Sequence, residues 1–293
     1  MSNRTHYLAD YQAPVFSVQQ LHLTIDLDAD NSVVKSELIC KRETQGDFIL
    51  DGDAEALQLL GVWVNDKPLS HADYTCNATS LHLHQVPEQE SFKVSIHTQM
   101  NPRSNTKLMG LFLSNQRLFT QCEAEGFRRI TYYFDRPDVL TVFSVCLCAD
   151  KTQYPQLLSN GNLIEAGELA DNRHFAKWHD PFPKPCYLFA LVAGEFACLS
   201  DHFTTKSGRK IGLAIYVEPQ QLHQCQHAMQ AVKDAMAWDE RVFNLEYDLD
   251  CYMIVAVSDF NAGAMENKGL NIFNTKFVLA DTQTATDDDF DGI

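Results

Sequence analysis

Along roughly the first 190 residues, apolar side chains return at every second position, and this period dictates a β-rich fold. Leu21, Leu23, Ile25 and Leu27 alternate with polar neighbours, as a strand with one buried face must. Asp28-Ala29-Asp30-Asn31 reads as a turn, and 33–40 as the return strand of a hairpin. Further strands are predicted at 48–50, 57–64, 81–83, 92–96, 139–148, 175–178 and 187–196. Turn residues separate several of them: Asp51-Gly52, Asn65-Asp66-Lys67-Pro68 and Val86-Pro87. The expectation is an antiparallel all-β layer structure.

The pattern changes after Gly194. A strand at 210–217 is followed by Pro219, and then Leu222, Cys225, Met229, Val232, Met236 and Phe243 fall at helical spacing. This predicts one amphipathic helix to about residue 243, with proline in its first turn, where a missing N–H costs little. Apolar strands are expected at 251–257 and 270–279. Residues 1–194 thus read as a β domain and 195–293 as the start of a mixed α/β domain. The acidic stretch Thr284 to Asp291 reads either as a solvated tail or as a helix N-terminus, where Thr and Asp satisfy free N–H groups. No internal repeat is present.

Composition narrows the function. The 293 residues carry 23 Lys+Arg against 39 Asp+Glu, a net charge of −16. That balance argues against nucleic acid and against anionic lipid as partners. No run approaches the ~18 apolar residues of a membrane span, and the start from Met1 to Tyr7 has no apolar signal core. Nine cysteines, an odd number without Cys-x-x-Cys, read as reduced thiols in a cytoplasmic protein. Cys146 and Cys148 alternate with apolar residues, so they are expected to pack rather than to bind metal.

Five groups of residues bear on chemistry. His223 and His227 stand four apart, a spacing zinc sites use on one helix face, but no glutamate follows the first and no third ligand is evident. His82 with His84, on one side of a strand, and His174 with His179, flanking a turn, read as surface pairs. Glu123 and Glu125 lie beside Arg128 and Arg129, which composition alone makes a charged loop with internal salt bridges. Between two apolar strands, Asn261 to Asn271 places Glu266 between Gly263 and Gly269. One reading is a long hairpin loop with a solvated Glu. The other is a sheet edge whose peptide groups pair with a bound peptide while Glu266 meets a cation.

Gly263-Ala264-Met265-Glu266-Asn267 resembles the exopeptidase signature of the aminopeptidase N family of zinc metallopeptidases. Gln121 to Thr131, followed by Asp135-Arg136-Pro137-Asp138, is similar to that family's other substrate segment in its bacterial form. The order and separation of the motifs agree, and the resemblance covers essentially the whole chain. It implies a saddle-like antiparallel β sandwich followed by the first α/β part of a thermolysin-like catalytic domain. It implies a zinc-dependent enzyme that removes N-terminal residues from peptides with a free amine. Glu123 and Glu266 would hold the substrate ammonium with help from Gln121. The backbone at Gly263 and Ala264 would align the peptide, and Ala262, Met265 and Asn267 would complete the substrate-binding set. Ala262 departs from close relatives, which often carry Met there; that residue would touch the first substrate side chain, so the resemblance does not fix the shape of that pocket.

The family's His-Glu-x-x-His zinc site is not matched: no His-Glu pair occurs in the sequence. Zinc is therefore the cofactor of the full-length family enzyme, while this chain is expected to bind none and to carry no catalytic residue. It reads as the N-terminal third of such an enzyme, inactive alone and monomeric. The alternative is a stand-alone, non-catalytic module that binds peptide amines, or an inactive remnant.

Overall fold

The computed structural model describes residues 7–258 and 262–293. Among them the largest layer is an eight-stranded sheet. Its order is Asn162–Glu168, Arg173–Lys184, Thr141–Asp150, Phe16–Asp26, Ser32–Arg42, Ser91–Met100, Gln58–Val64 and Lys67–Pro68. The alternation read from the sequence is the burial pattern: Leu21, Leu23 and Ile25 face the core, while Thr24 and Asp26 face out. One expectation is corrected here. The sheet is not wholly antiparallel, because Phe16–Asp26 and Thr141–Asp150 run parallel, Leu21 opposite Phe143 and Leu23 opposite Val145. These strands are far apart in sequence, so no tight turn forces them antiparallel.

A four-stranded antiparallel sheet joins Gln156–Ser159, Leu191–Gly194, Arg117–Gln121 and Gly110–Ser114. A three-stranded one joins Phe48–Asp51, Ser80–Leu83 and Tyr74–Cys76. Aromatic rings fill the space between layers. Phe127 meets Tyr133, Phe143 and Phe189 with centroids 5.1, 6.0 and 5.3 Å away, all edge to face, the arrangement that ring quadrupoles favour.

The last sheet is mixed: Ala197–Thr204, Lys210–Val217, Cys251–Val257, Leu270–Asn274 and Ala264–Met265. Its central pairs are parallel. The crossover between Lys210–Val217 and Cys251–Val257 carries the helix Gln226–Val242. The predicted helix is shorter than expected, because Pro219–Gln224 forms a 3-10 turn before it. Strand 270–279 is likewise shorter, ending at Asn274 before a 3-10 turn, Thr275–Phe277. Thr286 caps the short helix Asp287–Asp291 in a capping box with Asp289, which decides the acidic stretch in favour of a helix N-terminus.

This sheet is buried on both faces by different neighbours. Met253, Val255, Val257, Met265, Leu270 and Ile272 belong to the same apolar cluster as Leu118, Phe119 and Phe189 of the β layers. Ile254 and Ala256 point the other way, toward Ala228, Met229 and Met236 of the helix.

Candidate functional site

Gln121 ends strand Arg117–Gln121, opposite Gly110. Its side chain is buried; Nε2 donates to the Glu123 carbonyl at 3.2 Å, while Oε1 has no partner among the described residues. The chain then folds back tightly, with the Gly126 N–H bonded to the Cys122 carbonyl at 2.7 Å. A side chain at 126 is excluded, because a Cβ there would lie 2.4 Å from the Gln121 carbonyl oxygen. The Glu123–Ala124 peptide is cis. This fold-back leaves Glu123, Ala124 and Glu125 exposed above a buried Cys122, whose thiol burial pushes well up.

The charged loop separates into two kinds of carboxylate. Arg128 bonds Asp135 through Nε at 2.9 Å, and its Nη2 lies 3.3 Å from Glu125. Burial pushes the Asp51 carboxyl up, and the same guanidinium, 3.8 Å away, offsets only part of that rise. Arg129 pairs with Asp53. The expectation that both glutamates join a salt-bridge cluster is therefore half right. Glu125 does, but the Glu123 carboxylate has no hydrogen bond or ion pair among the described residues.

Of the second segment, Asn261 lies outside the described residues. Ala262, Gly263 and Ala264 are exposed. Ala264–Met265 is the outermost strand of its sheet, with Ala264 opposite Phe273 and Met265 opposite Ile272. Its outer edge has no neighbouring strand among the described residues, and an edge of this kind can accept an extended peptide as an added strand. Met265 is buried in the core, and Asn267 is buried with its amide 3.4 Å from the Met265 carbonyl. Glu266, between two buried residues, is exposed, and like Glu123 it has no ion pair among the described residues. Gly269 closes the loop at φ +78, where a Cβ would also strike Leu249 at 2.8 Å.

Asn160, which the sequence reading passed over, ties this loop to the β layers. It is 2% exposed. Its amide donates to Lys268 O at 2.9 Å and Leu188 O at 3.0 Å, and its Oδ1 accepts from Ala190 N at 2.7 Å. The only sequence signal is Asn160-Gly161, a turn dipeptide, with Gly161 at φ +86. Beside it, Asn162 exchanges hydrogen bonds with Asp250, and the Cys251 thiol lies 3.3 Å from Gly161 O.

The histidines do not converge. His223 lies in the 3-10 turn and His227 in the helix, so they do not share one helix face as the spacing suggested. His227 Nε2 is 2.9 Å from Phe290 O, and His223 stands 3.7 Å from Asp281. His174 and His179 do not flank a turn; both lie on strand Arg173–Lys184, bonded to Tyr154 O and Ser144 Oγ. His82 and His84 do share a face, rings 5.6 Å apart. Among the described residues no three His, Cys, Asp or Glu come together as metal ligands. All nine cysteines are free. The Cys148 thiol and Lys177 bring the Cys146 thiol down to about 7. A cavity of about 510 Å³ lies between the helix and the sheet, lined by Val232, Met236, Tyr247 and Phe273, and it includes neither glutamate.

With this geometry in hand, comparison with known proteins is direct. The Peptidase M1 N-terminal domain profile matches residues 62–188, and the Peptidase family M1 domain profile matches 227–292. The chain belongs to peptidase family M1. It is 51% identical to Aminopeptidase N of Escherichia coli over 97% of its own length and 32% of that protein's. Against Aminopeptidase N of Haemophilus influenzae it is 50% identical over 99% of the chain and 33% of the relative. A crystal structure of Legionella pneumophila aminopeptidase A in complex with aspartic acid superposes with a TM-score of 0.92. That pair is 36% identical, over 97% of this chain and 34% of the other. The chain thus spans about a third of the length of these M1 relatives. No helix among the described residues is long and apolar enough to cross a membrane.

Proposed function

We propose that this chain recognises the free N-terminal amine of a peptide within a zinc-dependent aminopeptidase, with Glu123 and Glu266 as the two anionic anchors. The observation that carries the reading is the division among the carboxylates. Glu125 is paired with Arg128, whereas Glu123 and Glu266 stand exposed without a cation among the described residues. An ammonium removed from water is costly unless it is paired and hydrogen-bonded. Two carboxylates from separate segments satisfy it and fix its position. A peptide lacking the charged amine leaves both carboxylates unpaired and is rejected. The unpartnered Oε1 of Gln121 adds an acceptor, and the free edge at Gly263 and Ala264 lays the substrate alongside as a strand. Ala262, Met265 and Asn267 shape and support that edge.

The donor set of the described residues does not fit zinc, which requires three or four converging ligands, so no hydrolytic step is assigned to them. Their part is to bind and orient. We divide the chain into a β domain, 1–194, and the beginning of the catalytic domain, 195–293, with the two anchors on opposite sides of that division. Nine free thiols fit a reducing, cytoplasmic setting, and we take the protein to be a monomer.

The test is kinetic and uses the full-length enzyme. Charge-assisted hydrogen bonds contribute about 1.5–3 kcal/mol, so Glu123→Gln and Glu266→Gln each lower kcat/KM about ten- to a hundredfold. Zinc content stays constant. Unchanged kcat/KM in both variants, with only a melting shift, rejects the assignment.

A further inference from the structure

Two side chains that amine recognition does not use lie side by side on the outside of the large sheet. On strand Thr141–Asp150, Val145, Leu147 and Ala149 are buried, while Cys146 and Cys148 point to the opposite face and are half-buried. Their Sγ atoms are 3.9 Å apart, and both thiols are free. Cys146 stands opposite Thr24 on one side and Lys177 on the other; Cys148 stands opposite Asp26 and Phe175. Two ion pairs frame the sulfurs. Lys177 Nζ bonds Glu165 at 2.7 Å and lies 5.3 Å from the Phe175 ring, and Arg173 bonds Asp26.

We propose that Cys146 and Cys148 form a two-sulfur site for a soft monovalent metal ion, Cu(I). Three arguments select this ligand class. A disulfide is disfavoured, because alternate residues of an extended strand lie about 6.7 Å apart with parallel side chains, near the ~6.8 Å limit for bridged cysteines. Zinc needs three or four ligands, and no third His, Cys, Asp or Glu joins the pair among the described residues. Cu(I) is selected by soft thiolates and is satisfied by two of them in a linear arrangement. On binding, each thiol gives up its proton and forms one S–Cu bond, with no change of oxidation state. The resulting bis-thiolate complex carries one negative charge and sits beside two ion pairs, Lys177–Glu165 and Arg173–Asp26, that are themselves neutral. The site is independent of the amine-binding reading.

The experiment is an anaerobic titration of the reduced protein with Cu(I) against bicinchoninate, a coloured competitor. One equivalent is expected to be withheld from the competitor by the unmodified protein. Losing even an outer-shell partner typically weakens a metal site about 10–100-fold, so removing one of only two ligands lowers affinity by at least about a hundredfold. Cys146→Ser and Cys148→Ser should both show this loss. Cys198→Ser, at an exposed cysteine on another sheet, should keep the equivalent. X-ray absorption of the unmodified 1:1 complex should show two sulfur neighbours, a readout that needs no variant. No withheld equivalent, retention in either Ser variant, loss in Cys198→Ser, or three or more sulfur neighbours would each overturn the proposal.

Discussion

The β layers and the mixed sheet that follows them are stabilised in different ways. The β layers close on themselves: their apolar faces meet around Phe127, Phe143 and Phe189. The mixed sheet divides its contacts. One face joins that same cluster, and only the other is covered by its own helix. Large apolar side chains remain exposed around that helix, among them Trp238, Phe243 and Leu245. The difference teaches that the loop bearing Glu266 has no position of its own. Its strand, Ala264–Met265, is held from below by Met265 in the shared cluster, and its far end is held by Asn160. The segment bearing Glu123 sits on the self-sufficient side.

The asymmetry is broken most strongly by cavities. Phe189→Ala removes a fully buried ring and should cost about 3–5 kcal/mol. Hydrogen exchange should then speed up in Phe16–Asp26 and in Cys251–Val257 alike. Met236→Ala, on the helix side, should cost about 2–5 kcal/mol and speed exchange only in the mixed sheet. Equal spread from both cavities would show that the dependence is mutual.

A smaller effect tests the Asn160 tie. Asn160→Ala leaves three backbone groups without a partner, and each buried unsatisfied group costs about 1–3 kcal/mol. Exchange of the 267–270 amides should rise more than that of the eight-stranded sheet. A uniform loss would make Asn160 a general core residue.

Alkali separates the regions more gently. Burial raises the thiols of Cys40, Cys122 and Cys186 in the β layers, and brings Cys225 and Cys251 to about 11. A group raised in the folded state gives stability that is complete below its unfolded value, near 9, and lost as pH rises through the folded value. The melting temperature should fall between pH 9 and 11. Lys184 works the other way. Burial beside Asp180 lowers it to about 8, so its charge destabilises most below pH 8, and the penalty fades as pH rises toward its ordinary value of 10.5. Five thiols outweigh one amine. A melting temperature that climbs across this window would contradict the assignment.

The smallest effect belongs to Glu125→Gln. An exposed ion pair is worth about 0–1 kcal/mol, so both melting and kcat/KM should barely move, in contrast to the Glu123 variant. A kinetic loss equal to that of Glu123→Gln would merge the two carboxylates into one cluster.

Alternating strands such as Phe16–Asp26 and the long apolar run Cys251–Val257 were legible in the sequence, and shorter or edge strands were not. Asn162–Glu168 leaves Leu163 and Ile164 exposed at a sheet edge, so its apolar residues mark no core face. Gly110–Ser114 buries Leu111 and Phe112 on successive positions, which erases the two-residue period. Its turn, Asn115-Gln116, takes positive φ at both positions, a role usually signalled by Asn-Gly. The two motif segments stood out through their residues, but composition grouped Glu123 with Glu125. Only the fold-back at Gly126 shows that one meets Arg128 and the other does not. Asn160 was invisible because its partners are backbone atoms 28 to 108 residues away.

The central claim is that Glu123 and Glu266, from the two differently stabilised regions, serve one ammonium. A double-mutant cycle in the full-length enzyme tests it most directly, measuring kcat/KM for Glu123→Gln, Glu266→Gln and the double variant. Residues acting on one group couple by about 0.5–3 kcal/mol, so the double variant should lose clearly less than the product of the single losses. Strictly multiplicative losses would mean that the two glutamates act on separate groups and would contradict the account.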